Sequence, residues 1–127
     1  SYHHHHHHDF TGTIALDRLP PSLKTLLLHK NHLSGSLDLT KLPESLEDLF
    51  LAENNFHGTI DLTKLPKNIQ GLYLNDNDFE GETDFTQLPD TLQEMSVGNT
   101  RLSGTLYIGG DNAFEADNSL VTTVTLG

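Results

Sequence analysis

A repeat about 23 residues long constrains the fold of this chain more than any other feature of its sequence. One leucine column comprises Leu26, Leu49, Leu72 and Met95, and a second comprises Leu28, Leu51, Leu74 and Val97. Glycines recur in the same register, at Gly12, Gly35, Gly58, Gly81 and Gly104. Because a unit this short cannot bury its own leucines, it is stable only when stacked on copies of itself. The sequence therefore predicts a solenoid.

Each repeat contains two short stretches in which apolar and polar positions alternate. Leu49-Phe50-Leu51 places two leucines on one face, and Ile60-Asp61-Leu62 repeats the pattern after the glycine. A period of two is typical of β-strands, and the recurring glycine and Leu-Pro pair leave no room for a helix longer than one or two turns. We therefore expect a β-rich parallel solenoid of four to five coils over residues 9–108, with two short strands per coil.

Residues 46–54 match the motif LxxLxLxxN, residues 69–77 match it with Ile69 at its first position, and residues 31–37 resemble NxLSGxI with Leu37 at its last position. Over about residues 10–108 the chain thus resembles the leucine-rich repeat family and its plant-type class, although Asp38 stands where that class has proline. The resemblance implies the family's α/β-class solenoid, a right-handed horseshoe with a parallel concave sheet and short convex strands. It also implies a structural asparagine ladder that satisfies buried backbone groups of adjacent coils. The ladder residues are Asn31, Asn54 and Asn77.

Both ends of the chain depart from the repeat. Residues 1–8, with six consecutive histidines, are interpreted as a purification tag, so the first coil is expected to begin in mid-repeat with an open front edge. Counted forward at the constant spacing of the leucine columns, the pattern fails after Ile108. Residues 109–127 are predicted to form a C-terminal cap, in which the β-branched strand 120–126 covers the edge after Met95 and Val97.

Side chains between the inward leucines are expected to face solvent on the concave sheet. The central column holds large apolar residues about 4.8 Å apart, and it is flanked by carboxylates and a histidine. Such a composition is typical of a protein-binding hot spot, whereas an aromatic ladder that only stabilises the sheet is the alternative. The predicted partner-binding residues are Leu27, Phe50, Tyr73, Asp48, Glu53, Asp76, Glu94 and His29.

The charge of the chain narrows the choice of partner. The net charge is −11, and residues 68–127 carry ten acidic residues and one base, Arg101. An acidic chain without a basic stripe is not expected to bind nucleic acid, and a protein partner with a basic patch is favoured. No apolar run is long enough to predict a membrane span.

Enzymatic and metal chemistry are not predicted. The chain has no cysteine, and it contains no sequence motif of a catalytic nucleophile or of a nucleotide-binding loop. Its histidines outside residues 1–8 are not placed to bind one metal ion together. No catalytic residue, cofactor or metal site is therefore expected. The acidic stretch 76–84 imitates a calcium loop, but its twelfth position is Gln87 where glutamate is required. The column of Asp38, Asp61 and Asp84 is interpreted as keeping the outer surface soluble.

The leading hypothesis is a non-enzymatic scaffold that binds a protein on the concave face. One alternative is a structural, self-assembling module that forms a weak homo-oligomer through open sheet edges instead of remaining a monomer. The other alternative is a calcium-dependent adhesion module, for which added calcium would raise the melting temperature.

Overall fold

The structure of this chain is a computed structural model, which describes the backbone of residues 2–4 and all of residues 10–126. The described chain contains twelve strands and one short 3-10 helix at Leu16–Arg18. The strands are β1 (Tyr2–His4), β2 (Thr11–Gly12), β3 (Thr25–Leu27), β4 (His32–Gly35), β5 (Asp48–Phe50), β6 (Asn55–Gly58), β7 (Gly71–Tyr73), β8 (Asp78–Glu82), β9 (Glu94–Ser96), β10 (Arg101–Ile108), β11 (Ala113–Glu115) and β12 (Leu120–Thr125).

The strands form two six-stranded sheets in which every pair is parallel. The first sheet has the order β1-β3-β5-β7-β9-β11, and the second sheet has the order β12-β10-β8-β6-β4-β2. Each turn of the chain adds one strand to each sheet, which gives a solenoid of about five turns. The prediction of a β-rich parallel solenoid with almost no helix is confirmed.

The core lies between the two sheets and consists of stacked leucine columns. The middle residue of β3, β5, β7 and β9 points inward, so that Leu49 and Leu72 are fully buried and in register with each other. The pairing continues past the strand ends, where the Leu51 amide donates to the Tyr73 carbonyl at 2.8 Å. On the second-sheet side, the Phe56 and Phe79 rings stack at 6.3 Å. Burial of such side chains stabilises the fold by about 1.5–3 kcal/mol each before entropy is subtracted.

The second strands β4, β6 and β8 lie earlier than predicted, whereas β10 extends through the predicted positions 106–108. Strand β6 ends at Gly58, and Ile60-Asp61-Leu62 has no strand structure, although both apolar residues of this segment are buried and Asp61 is exposed. Two local features end the strand. Gly58 has φ of +88°, a conformation that other residues rarely adopt. The Asp61 carboxylate also accepts hydrogen bonds from the Thr63 amide and hydroxyl, which forms a turn.

The front edge of the first sheet is not left open at β3, in contrast to the prediction. The backbone of β1 pairs with β3 in the register of the repeat, with Tyr2 opposite Thr25 and His4 opposite Leu27. Three residues of the predicted tag therefore act as the first strand, whereas residues 1 and 5–8 lie outside the described residues. The pairing requires only backbone groups, so residue identity does not prevent it.

The prediction for the C-terminal strand was wrong about its sheet. The strand β12 pairs with β10 in the second sheet, and β11 is the strand that covers β9 in the first sheet, with Phe114 opposite Met95. The Val97 amide likewise donates to Glu115. The repeat thus continues beyond Ile108 as a shorter coil, and counting at the constant repeat length could not find it.

Candidate functional site

Buried asparagines hold successive coils together beneath the outer face of the first sheet. The Asn54 side chain donates to the Leu28 carbonyl of the preceding coil at 2.9 Å and accepts from the Leu33 amide at 3.0 Å. Asn77 repeats both contacts one coil later, and Asn31 bonds Leu28 and the Phe10 amide. An amide suits this position because it offers a donor and an acceptor at once. The ladder thereby fixes the spacing of the side chains outside it.

The residue before each ladder position adopts a left-handed backbone conformation. Lys30, Glu53, Asp76 and Asn99 have φ between 51° and 60°. This turn directs the chain from the first sheet towards the second and places one polar or charged side chain per coil at the rim of the outer face. Left-handed geometry is unfavourable for residues other than glycine and asparagine, so these turns depend on the surrounding packing.

The central column of the outer face was expected to be an exposed stripe, and its three large residues are half-buried. Leu27, Phe50 and Tyr73 lie opposite one another on β3, β5 and β7. The Phe50 and Tyr73 rings meet edge to face with centroids 4.6 Å apart. The His29 ring lies 6.2 Å from Phe50 in a similar orientation. Each ring thus shields part of its neighbour from solvent, and edge-to-face pairs at such distances are energetically favourable.

A small cavity of about 180 Å³ opens beside the aromatic pair. Four of the predicted binding residues contribute to it, namely His29, Phe50, Glu53 and Tyr73. Its other lining residues are Ala52 and Asn75, and the Asn75 side-chain oxygen is buried without a hydrogen-bond partner. The cavity therefore combines the rings of Phe50, Tyr73 and His29 with the Glu53 carboxylate.

Two further carboxylates stand on either side of Gly71, at the opposite edge of the aromatic column. Asp48 and Glu94 are both in register with Gly71, and a Cβ atom at Gly71 would lie 2.9 Å from the Asp48 Oδ1 atom, so the missing side chain makes room for that carboxylate. Glu94 accepts a hydrogen bond from the Tyr73 hydroxyl at 3.0 Å. The nearby Lys24 ammonium pairs with Glu47, at 3.6 Å, and not with Asp48 or Glu94. These carboxylates give the outer face a negative charge next to the rings.

The electrostatics of this face favour a cationic ligand. Burial raises the pKa of the Asp48 carboxyl, and the charges of Glu47 and Glu94 raise it further. Burial and the hydrogen bond to Glu94 raise the pKa of the Tyr73 hydroxyl. Partial burial and the neighbouring negative charges destabilise the ionised form of Asp48, and a positively charged ligand would stabilise that form.

The structure does not bring every predicted residue to the cavity. Asp76 lies further along the rim, where its carboxylate accepts from the Asn75 and Asn99 side chains. Beyond Tyr73 the column ends at Ser96, which is buried and donates to Glu115. Sequence reasoning missed Glu115 because it lies in the short coil. The signal was Phe114-Glu115-Ala116-Asp117-Asn118-Ser119, which follows the pattern of residues 95–100 at a shorter spacing than the repeat.

The acids of the second-sheet side are engaged in turns. Asp38, Asp61 and Asp84 each accept from a threonine two residues on, and these bonds lower the pKa of all three carboxyls. Residues 78–82 of the calcium-like stretch form β8 and not a loop. Within residues 10–126, no group of three or more histidine and acidic side chains is placed to hold a metal ion.

Comparison with known proteins adds no further assignment: no family model matches the chain, and no curated protein or solved structure matches it either. No helix in the described part of the chain is both long and apolar enough to cross a membrane.

Proposed function

We propose that the outer face of the first sheet binds a protein partner that presents a cationic side chain. The observation that carries this proposal is the cavity beside the Phe50–Tyr73 pair, in which two half-buried rings adjoin the Glu53 carboxylate. A guanidinium or ammonium group over an aromatic ring gains about 0.5–1 kcal/mol at an exposed site. Asp48 and Glu94 add long-range attraction, which increases the rate of encounter with a basic surface.

We further infer that the chain is a leucine-rich repeat protein and that the first sheet lies on the concave side of a right-handed horseshoe. In support, the LxL positions of the motif overlap β5 and β7, whose last residues precede Leu51 and Leu74, and the motif asparagines Asn54 and Asn77 are the ladder residues. The same proposal assigns the chain a non-enzymatic role as a scaffold. A concave surface suits this role because many weak contacts can act on one partner.

A titration with a short arginine homopeptide tests the cationic site. Amide resonances of Ala52, Glu53 and Asn75 are expected to shift in NMR spectra of the labelled protein. A citrulline homopeptide of the same length has the same shape without the charge, and it should leave these resonances in place. Equal shifts with both peptides, or shifts spread evenly over all acidic surfaces, would contradict the proposal.

A substitution distinguishes binding from mere stabilisation of the sheet. Phe50→Leu removes the ring and keeps an apolar side chain, and it should weaken arginine-peptide binding roughly two- to fivefold, the equivalent of one exposed cation–π contact. The matched control is Asp84→Asn, which alters an acidic residue on the second-sheet side. If Phe50→Leu lowers only the free energy of unfolding and leaves the affinity unchanged, the aromatic pair has a structural role alone.

A further inference from the structure

Large apolar side chains that face solvent gather at the C-terminal end of the second sheet. Among residues 10–126, the exposed large apolar residues are Phe10, Tyr107, Leu120, Val124 and Leu126, and all except Phe10 lie on β10 or β12 or next to them. Val124 is opposite Tyr107 across the two strands. Alternation along β12 places Leu120, Val124 and Leu126 on the same side. These four residues, Tyr107, Leu120, Val124 and Leu126, lie along the same face of this end of the sheet and are here called the terminal patch.

The strand that carries this patch is also an edge. In the described chain β12 pairs with β10 on one side only, and the pairing continues to Leu126, whose amide donates to Ile108 at 2.8 Å. Its six residues exceed the two of β2 at the other end of the sheet and the three of β11 in the neighbouring sheet. Edge strands are normally protected by charge, proline or brevity, and residues 118–126 contain neither a charged residue nor proline.

The sequence of β12 is complementary to itself in the antiparallel direction. With Thr123 opposite Thr123, Leu120 lies opposite Leu126, Val121 opposite Thr125, and Thr122 opposite Val124. Apolar and β-branched cross-strand pairs of this kind are favourable, and no like charges face each other. A two-fold axis perpendicular to the sheet at Thr123 places both terminal patches on the same face of one continuous sheet.

We propose that β12 pairs with β12 of a second copy of this chain, antiparallel and centred on Thr123. This interface lies on the second sheet and is separate from the cationic site on the first sheet. Two short strands bury less surface than the roughly 1,200 Å² of a standard stable complex, so the dimer is weak, with a dissociation constant between about 1 µM and 1 mM. Each copy has a charge of −11, so added salt strengthens the dimer by screening repulsion.

Sedimentation velocity at increasing concentration tests this dimer. The full chain should pass from monomer to dimer, with more dimer at high salt. Val124→Lys, which places a charge on the exposed side of β12, should remain monomeric with an unchanged circular dichroism spectrum. Thr11→Lys makes the same change in charge on β2 and should dimerise as the unmodified chain does. A monomer at every concentration, or equal loss of the dimer in both variants, would overturn the proposal.

A disulfide tests the register without relying on a disruptive variant. The chain has no cysteine, so Thr123→Cys introduces a single thiol at the axis, where two copies face each other. Oxidation should give a covalent dimer for Thr123→Cys and not for Thr11→Cys. Absence of the Thr123→Cys dimer under conditions in which the unmodified chain dimerises would refute the proposed register. The response to salt separates this interface from the cationic site, because binding of an arginine peptide weakens as salt is added.

Discussion

Replacement of Asn54 by alanine tests whether the asparagine ladder holds adjacent coils together. Asn54 is 7% exposed, and its side chain bonds four backbone groups. Three of these are carbonyls that keep another donor after the substitution. The Leu28 carbonyl retains Asn31, the Leu51 carbonyl retains Asn77, and the Ala52 carbonyl retains the Lys30 amide.

The Leu33 amide is the group that loses its partner. It donates to the Asn54 oxygen at 3.0 Å, and in Asn54→Ala it becomes a buried donor without an acceptor. One such group costs about 1–3 kcal/mol, so we expect the free energy of unfolding to fall by about 2 kcal/mol. For a chain of this length, the melting temperature should decrease by roughly 5–10 °C.

Urea denaturation followed by circular dichroism measures the change, and hydrogen exchange locates it. The Leu33 amide should exchange faster in Asn54→Ala relative to other amides of the same coil. Asn55→Ala is the matched control, since Asn55 is the exposed neighbour and its loss should change stability by less than about 0.5 kcal/mol. Equal stability of the two variants, with normal protection of the Leu33 amide, would refute this account of the ladder.

Three other substitutions test the core, the turns and the rim. Phe56→Ala removes a fully buried ring and should cost about 3–5 kcal/mol in urea denaturation, whereas Phe10→Ala, at an exposed ring, should cost far less. Thr63→Val removes a hydroxyl donor, so a carboxyl NMR titration should show the pKa of Asp61 raised towards its ordinary value. In the unmodified chain, the stability that this hydrogen bond contributes is fully present above the pKa of Asp61 in the unfolded state. It is lost as the pH falls through the lower pKa of Asp61 in the folded state. Glu53→Asn should raise the melting temperature, because asparagine tolerates φ near 58° better than glutamate does. A lower melting temperature would contradict the inference that the backbone at Glu53 is strained.

The first-sheet strands were the most predictable part of the fold. Leu49 and Leu51 flank one outward residue, and this alternation on both sides of Phe50 identifies the strand and its inward face without tertiary information. The second-sheet strands were less predictable, because Ile60-Asp61-Leu62 has the same alternation and the same buried positions without a ladder. There the alternation reflects burial alone, and the turn made by Asp61 and Thr63 decides the backbone conformation.

Four of the six residues that line the cavity were predicted as binding residues, whereas the shape of the cavity was not predicted. The repeat frame identified Phe50, Tyr73 and Glu53 as outward residues, since the side-chain period of a strand determines the face. The cavity between them depends on the edge-to-face angle of the rings and on the left-handed turn at Glu53. These are properties of packing across coils, and no spacing within one repeat encodes them.

The repeat alone determined that this chain stacks coil upon coil, because a block this short has no other way to remove its leucines from water. The tertiary structure decided how the stack ends. Strands β1 and β11 join the first sheet although one lies in the histidine segment and the other in a shortened coil. The hydrogen bonds of a parallel sheet join backbone amides and carbonyls, so a segment of any sequence can pair once the preceding turn places it beside the edge strand in register.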